Sequence, residues 1–231
     1  MGKRGPKPKG KVQIKWSPDF AYAIGLVATD GNMRASGRHI SFVSKDMEQI
    51  KNFLFALKIE AKSDKTFSGY KGAWAYRIQF GDVLFCNFLK SIGVYPAKSL
   101  TIGKLKIQEK YFFDFIRGCF DGDGCSYSYW DPRWKSSFMF YIGFASGSIS
   151  FVTWLQSMVS KLSNLSGHIS IHRRKGGKNN YYQLRYSKYE AMKLARLMYK
   201  NQEGIKLTRK YLKIKKSLAI VHKHKGRVFV R

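Results

Sequence analysis

Two stretches of this chain end alike. AYAIGLVATDG (21–31) and FIRGCFDGDG (115–124) each carry a Gly, four further residues, an Asp and a Gly. Gly25 leads to Asp30-Gly31 and Gly118 to Asp123-Gly124, with an interval of 93 residues each time. Acids are scarce, 14 Asp+Glu against 43 Lys+Arg, so two in matching places stand out. Two carboxylates held together repel unless a cation lies between them, and a divalent ion there can orient water and stabilise a leaving oxygen. Hard oxygen ligands without Cys or His point to Mg²⁺. An Asp at a helix C-terminus opposes the helix dipole, so capping is a poor alternative role for Asp30 and Asp123.

Elements that could position these acids recur in the same order. SKDMEQIKNFLFAL (44–57) predicts a helix capped by Asp46, with Met47, Ile50, Phe53, Leu54 and Leu57 on one face. SGSISFVTWLQSMV (146–159) repeats it, with Ser148 as the cap. Strict alternation follows in AWAYRIQF (73–80), which turns Trp74, Tyr76, Ile78 and Phe80 inward and Arg77 and Gln79 outward. NYYQLRY (180–186) likewise turns Tyr182, Leu184 and Tyr186 inward and Gln183 and Arg185 outward. The interval grows from 93 to 102 to 106, and each increase falls in a loop, near Asp131-Pro132 and near GGKNN (176–180). The chain therefore reads as α+β, with two pseudo-symmetric αββαββα halves at 12–95 and 111–200 joined by a linker at 96–110. A basic arm (1–11) and a basic extension (201–231) flank them, and TRKYLKIKKSLAI (208–220) is expected to be a final helix bracing the second half.

The charge selects the partner. The formal net charge is +29 on 231 residues, yet 44% hydrophobic residues suffice for a core, which excludes a disordered basic condenser. A folded domain this basic calls for a polyanion. From Pro132 to Tyr189 there is no acid, while basic residues recur, as a phosphate-facing surface requires. Arg77, Gln79, Gln183 and Arg185 have side chains suited to purine edges. Arg34, Arg38, His39, Lys62, Lys65 and Lys71 are expected to extend that surface in the first half. Arg133, Lys135, Ser170, His172, Arg174 and Lys178 do so in the second. No apolar run is long enough to span a membrane, no signal peptide is evident, and three cysteines form no CxxC pair. The expected setting is intracellular: a bacterial or archaeal cytoplasm, or an organelle.

AIGLVATDG (23–31) and IRGCFDGDG (116–124) resemble the motif of the LAGLIDADG homing endonucleases. Ala28 departs from the motif's first Asp, a place that Asp121 fills in the second copy. The resemblance implies helices packed at Gly25 and Gly118, and two four-stranded, antiparallel, saddle-shaped DNA-binding sheets backed by helices. It implies a monomer that cuts both strands of a long, non-palindromic DNA site across the minor groove, leaving short 3′ overhangs. It also implies that the main-chain oxygens of Thr29 and Gly122 join Asp30 and Asp123 around Mg²⁺, with Mn²⁺ substituting and Ca²⁺ binding without catalysis. A basic residue near each scissile phosphate would stabilise developing charge. KSLT (98–101) and KLTRK (206–210) each follow a half's last helix and share Leu-Thr, which nominates Lys98 and Lys206. The alternative reading is a non-cleaving scaffold: a splicing maturase that binds its own intron RNA, or a DNA-binding protein.

Overall fold

The structure is a computed structural model that describes residues 10–68, 73–173, 180–201 and 203–228. The first half runs α1 (Pro18–Thr29), β1 (Gly31–Met33), β2 (His39–Ser44), α2 (Met47–Leu57), β3 (Ser63–Ser68), β4 (Ala73–Gly81) and α3 (Val83–Ser91). The second runs α4 (Phe112–Asp123), β5 (Gly124–Trp130), β6 (Phe138–Ser146), α5 (Ile149–Ser163), β7 (His168–Arg173), β8 (Asn180–Ser187) and α6 (Lys188–Met198). A long helix, α7 (Thr208–Val228), follows. Each half forms a four-stranded antiparallel sheet, in the orders β1-β2-β4-β3 and β5-β6-β8-β7. The predicted αββαββα order is present in both.

Strand register makes the two sheets equivalent residue by residue. Gly31 pairs with Phe42 as Gly124 pairs with Phe144, and Phe42 pairs with Ile78 as Phe144 pairs with Leu184. The intervals 31 to 124, 42 to 144 and 78 to 184 reproduce the drift of 93, 102 and 106 read from the sequence. On β4, Ile78 and Phe80 are buried and Arg77 and Gln79 exposed; on β8, Leu184 and Tyr186 are buried. Trp74 departs from expectation. It lies on the inward-facing side but is 59% exposed, and its ring packs on Phe67, which is equally exposed.

Helix α1 starts at Ser17, whose hydroxyl accepts from the Phe20 N–H at 3.1 Å, with Pro18 in the first turn where its missing N–H costs nothing. Residues 20–28 are all buried, so the helix is apolar on every side, as a central helix must be. Helix α4 is buried from Phe115 to Asp121 and packs along α1. Ser148 caps α5 as expected, accepting from Phe151 N–H. Asp46 makes no capping hydrogen bond to α2; its carboxylate is engaged by Arg209 of α7 at 2.7 Å. Asp82, by contrast, is buried at the start of α3, where it caps Phe85 N–H and accepts from the main-chain N–H groups of Lys11 and Val12.

Candidate functional site

The α1–α4 contact is reciprocal. A Cβ built on Gly25 would lie 2.9 Å from Gly118 Cα and closer still to the Phe115 carbonyl oxygen. One on Gly118 would lie 3.1 Å from Gly25 Cα and closer still to the Tyr22 carbonyl oxygen. Tyr22 and Phe115 are themselves 93 residues apart, so the same patch meets itself about a local two-fold axis. Only residues without side chains allow two backbones this near.

This crossing delivers Asp30 and Asp123 to one place. Asp30 follows the last residue of α1, Asp123 is the last of α4, and Asp30 Oδ2 lies 2.9 Å from where a Gly122 Cβ would stand. Burial, together with the negative charge of Asp123, pushes the Asp30 carboxyl up from 3.8 to about 7. Burial also raises Asp123, opposed by Lys210 and Lys98. Gln49 of α2 supports the site: its amide donates to the Asp121 carbonyl at 3.0 Å and reaches the Asp30 carboxylate, favouring the charged form.

Two ammonium groups flank the acids. Lys98 is buried, and its Nζ donates to the carbonyls of Thr29 (3.0 Å) and Gly31 (2.6 Å) at the end of α1. Its counterpart is Lys210, not Lys206. Lys210 Nζ donates to the carbonyls of Phe120, Asp121, Gly122 and Gly124, at 2.7 to 2.9 Å, around the end of α4. Burial lowers both lysines, while the carboxylates hold them up. Lys206 instead lies over the Tyr211 ring at 5.1 Å and donates to Gly204. The shared Leu-Thr misaligns the two segments, because α7 begins at Thr208 and Lys210 falls within its first turn.

Asp121 explains how α7 is seated. It is 1% exposed, and its Oδ2 accepts from Tyr22 Oη (2.8 Å) and from the Leu207 N–H (2.7 Å). From the first half, Glu48 accepts from the Thr208 N–H, Asn52 donates to the Lys206 carbonyl, and Asp46 pairs with Arg209. The final helix thus braces both halves, and it reaches Val228 rather than ending at 220. At the place equivalent to Asp121, Ala28 is buried.

Residues with the parity of Gln79 and Arg185 line one open face of each sheet. The structure places Arg77, Gln79, Gln183, Arg185, Ser170 and His172 there, with His39 level with them on β2. Arg34 joins them through its Nη2 bond to Gln79 Oε1 at 3.2 Å. Lys62 and Arg38 are exposed in the adjoining loops. Lys65 is a correction: it pairs with Tyr76 and so points to the helix side of the sheet. Lys135 is exposed in the β5–β6 turn, where Arg133 is tied to Asp131 at 3.1 Å. Lys71, Arg174, Lys178 and residues 1–9 of the arm lie outside the described residues. Sequence reasoning missed Tyr127, Tyr129 and Tyr141 on this face, because stacked tyrosines on a strand pattern look like core. Tyr141 stacks on Tyr127 at 4.7 Å and on Tyr129 at 6.1 Å.

Among the described residues no three His, Cys, Asp or Glu side chains cluster as a metal centre. The donor set that exists, two carboxylates with adjacent main-chain oxygens, fits Mg²⁺, which commonly takes one or two carboxylates and completes its shell from phosphate and water. An acid pushed up to about 7 by burial, with the charge of Asp123 adding to it, is the electrostatic gap a divalent cation closes. Among the described residues no helix is long and apolar enough to cross a membrane.

No protein-family model matches the chain, and no curated protein matches it in sequence. Its fold, two antiparallel four-stranded sheets joined through paired motif helices, is that of the LAGLIDADG homing endonucleases. The LAGLIDADG meganuclease I-AabMI, bound to uncleaved DNA, is similar with a TM-score of 0.59 at 12% identity, over 92% of this chain and 92% of that one. The I-LtrWI LAGLIDADG homing endonuclease, bound to target DNA, gives 0.56 at 10% identity, over 89% and 91%. Full-length DUF199/WhiA from Thermatoga maritima gives 0.52 at 13% identity, and this chain spans 62% of its length. At such identities the likeness is one of fold.

Proposed function

We propose that this protein is a site-specific, divalent-metal-dependent DNA endonuclease that acts as a monomer and cuts both strands across the minor groove to leave short 3′ overhangs. The observation that carries the reading is the convergence of Asp30 and Asp123 at the α1–α4 crossing, between two sheets whose open faces bear arginine and glutamine. A pure binder gains nothing from carboxylates turned toward phosphates. Asp30 and Asp123, with the carbonyls of Thr29 and Gly122, would hold Mg²⁺, which supplies an oriented, activated water and charge stabilisation at the departing 3′ oxygen. The chain's own groups do the rest. The sheet faces fix the register of a long, non-palindromic duplex, and Lys98 and Lys210 place positive charge beside the reacting phosphates.

Incubation with Mg²⁺ and a randomised duplex library tests the reading: cut products with 3′ overhangs are expected from a restricted set of sequences. Binding in EDTA should persist and weaken steeply with salt. Binding without cutting under any divalent metal would instead support the second reading, a non-cleaving DNA- or RNA-binding protein on this scaffold. One observation favours that reading: Lys98 and Lys210 already occupy the carbonyls of Thr29 and Gly122, so the acids have counter-charges within the chain.

The lysines separate by the same assay. Lys210→Met is expected to lower the cleavage rate about 100-fold, the usual cost of one well-placed donor, while Lys206→Met changes it less than about threefold. Equal effects of the two substitutions would show that Lys210 has no special place in the reaction.

A further inference from the structure

The equivalence of the two sheets has a consequence for the DNA they would read. Register makes Gln79 equivalent to Arg185, Arg77 to Gln183, Arg34 to Tyr127 and His39 to Tyr141. At one point of each sheet the same contact is therefore made from opposite directions. In the first half, Arg34 beside β1 donates to Gln79 Oε1 on β4 at 3.2 Å. In the second, Arg185 on β8 donates to Tyr127 Oη on β5 at 3.3 Å and lies 5.3 Å over the Tyr141 ring. A guanidinium sits at the same place in both halves, carried by the residue after β1 in one and by β8 in the other. In the first half Gln79 turns its oxygen to Arg34, so the guanidinium and the amide N–H groups lead outward from this pair. Arg185, held by a hydroxyl and a ring, does the same. A guanidinium held at the surface in this way matches the two acceptors of guanine in the major groove, O6 and N7, which arginine contacts with two N–H groups.

Two residues along β4 and β8 the halves diverge. Arg77 is exposed and offers donors alone. Gln183 has its Nε2 only 3.9 Å from Cys125 Sγ, a weak contact, and keeps its oxygen available, so it offers one donor and one acceptor. That pair of groups matches N6 and N7 of adenine.

We propose, resting on the groove-reading function above, that the target carries guanine at mirror-related positions facing the Arg34–Gln79 pair and Arg185. At the neighbouring position it carries guanine facing Arg77 but adenine facing Gln183. Gln79 and Tyr127 are positioning residues for the two guanidinium groups. The target is thus palindromic at one contact and broken at the next, and this Arg–Gln exchange is what orients the protein on its site.

Selection of bound duplexes from a randomised library, without divalent metal, tests this on the full chain. The wild-type consensus should show the mirror-related guanines and the guanine–adenine mismatch of symmetry. Gln183→Arg should switch that adenine to guanine by roughly 10-fold or more, in one half only, and Arg77→Gln should make the opposite switch in the other. Tyr127→Phe should weaken the guanine preference facing Arg185 several-fold and leave every other position unchanged, which a general loss of folding would not do. A specific consensus with the same base facing Arg77 and Gln183, or variants that relax both halves together, would overturn the inference and leave the endonuclease reading standing. Retention of no duplex at all would overturn both.

Discussion

Asp30→Asn and Asp123→Asn should each abolish double-strand cleavage, by at least about 10³-fold, while metal-free binding to the target changes by less than about threefold. Asn keeps the size of the side chain and its place at the helix end, but loses the charge that would hold a cation. Asp30→Asn has a second expected effect, on stability. Its carboxyl titrates at about 7 in the folded protein against an ordinary 3.8, chiefly because burial and Asp123 disfavour the ion. The folded state therefore binds more protons than the unfolded one between those values, and stability falls as pH rises through that window. The destabilisation is complete above about pH 7 and absent near pH 4. Solvent screening of this partly exposed group tempers it, so Asp30→Asn should be more stable than wild type by about 2 kcal/mol at pH 8, or several degrees in melting temperature. The gap should close as the pH falls toward 4. Thermal melts across pH 4–8, paired with cleavage time courses, measure both. Robust cutting by the Asp30→Asn/Asp123→Asn double variant would remove the basis of the mechanism, and a pH-independent gap would show that Asp30 is not held against its charge.

What was legible in the sequence followed local periodicity. The duplicated motif, the alternating strands and the drift of the interval all report a backbone whose two copies bury the same faces, so they survive in the fold residue by residue. Lys210 was hidden because its place depends on three-dimensional anchoring. Asp121 takes the Leu207 N–H and Glu48 takes that of Thr208, contacts across 86 and 160 residues that no local pattern encodes. Lys65 was misread for a simpler reason: β3 is a short, largely polar strand with Phe67 as its one large apolar residue, so its parity is fixed only by its pairing with β4. The tyrosines of β5 and β6 look like core in any alternation. Tyr141 is indeed buried, but by neighbours on the open face: it lies under Arg185 and against Tyr127, which accepts from that guanidinium, while Tyr129 is 45% exposed.

The largest loss of stability is expected from Gly118→Val. The first added carbon would stand 2.9 Å from the Tyr22 carbonyl carbon, 3.1 Å from Gly25 Cα and nearer still to the Tyr22 carbonyl oxygen. All of these are main-chain atoms inside a buried helix, so no side chain can swing aside. The two helices must separate, and the phenylalanines, Ile24, Leu26 and Ile116 buried along them lose contact together. A cost above about 4 kcal/mol is expected, enough to lower the melting temperature by about 10 °C or to prevent folding. Gly103→Ala provides the contrast, because its new methyl group would meet nothing nearer than Ser150 Cβ at 3.9 Å and should leave the melt unchanged. Gly122→Ala lies between the two. Thr29 Oγ1 and Asp30 Oδ2 can rotate away, but Thr29 Cβ, 2.8 Å off, moves only with the main chain, so the end of α1 must shift; the fold should survive while the acids are pushed from their places and cleavage drops. A wild-type melt for Gly118→Val would mean that the helices do not cross there, and Asp30 and Asp123 would then lack the structure that brings them together.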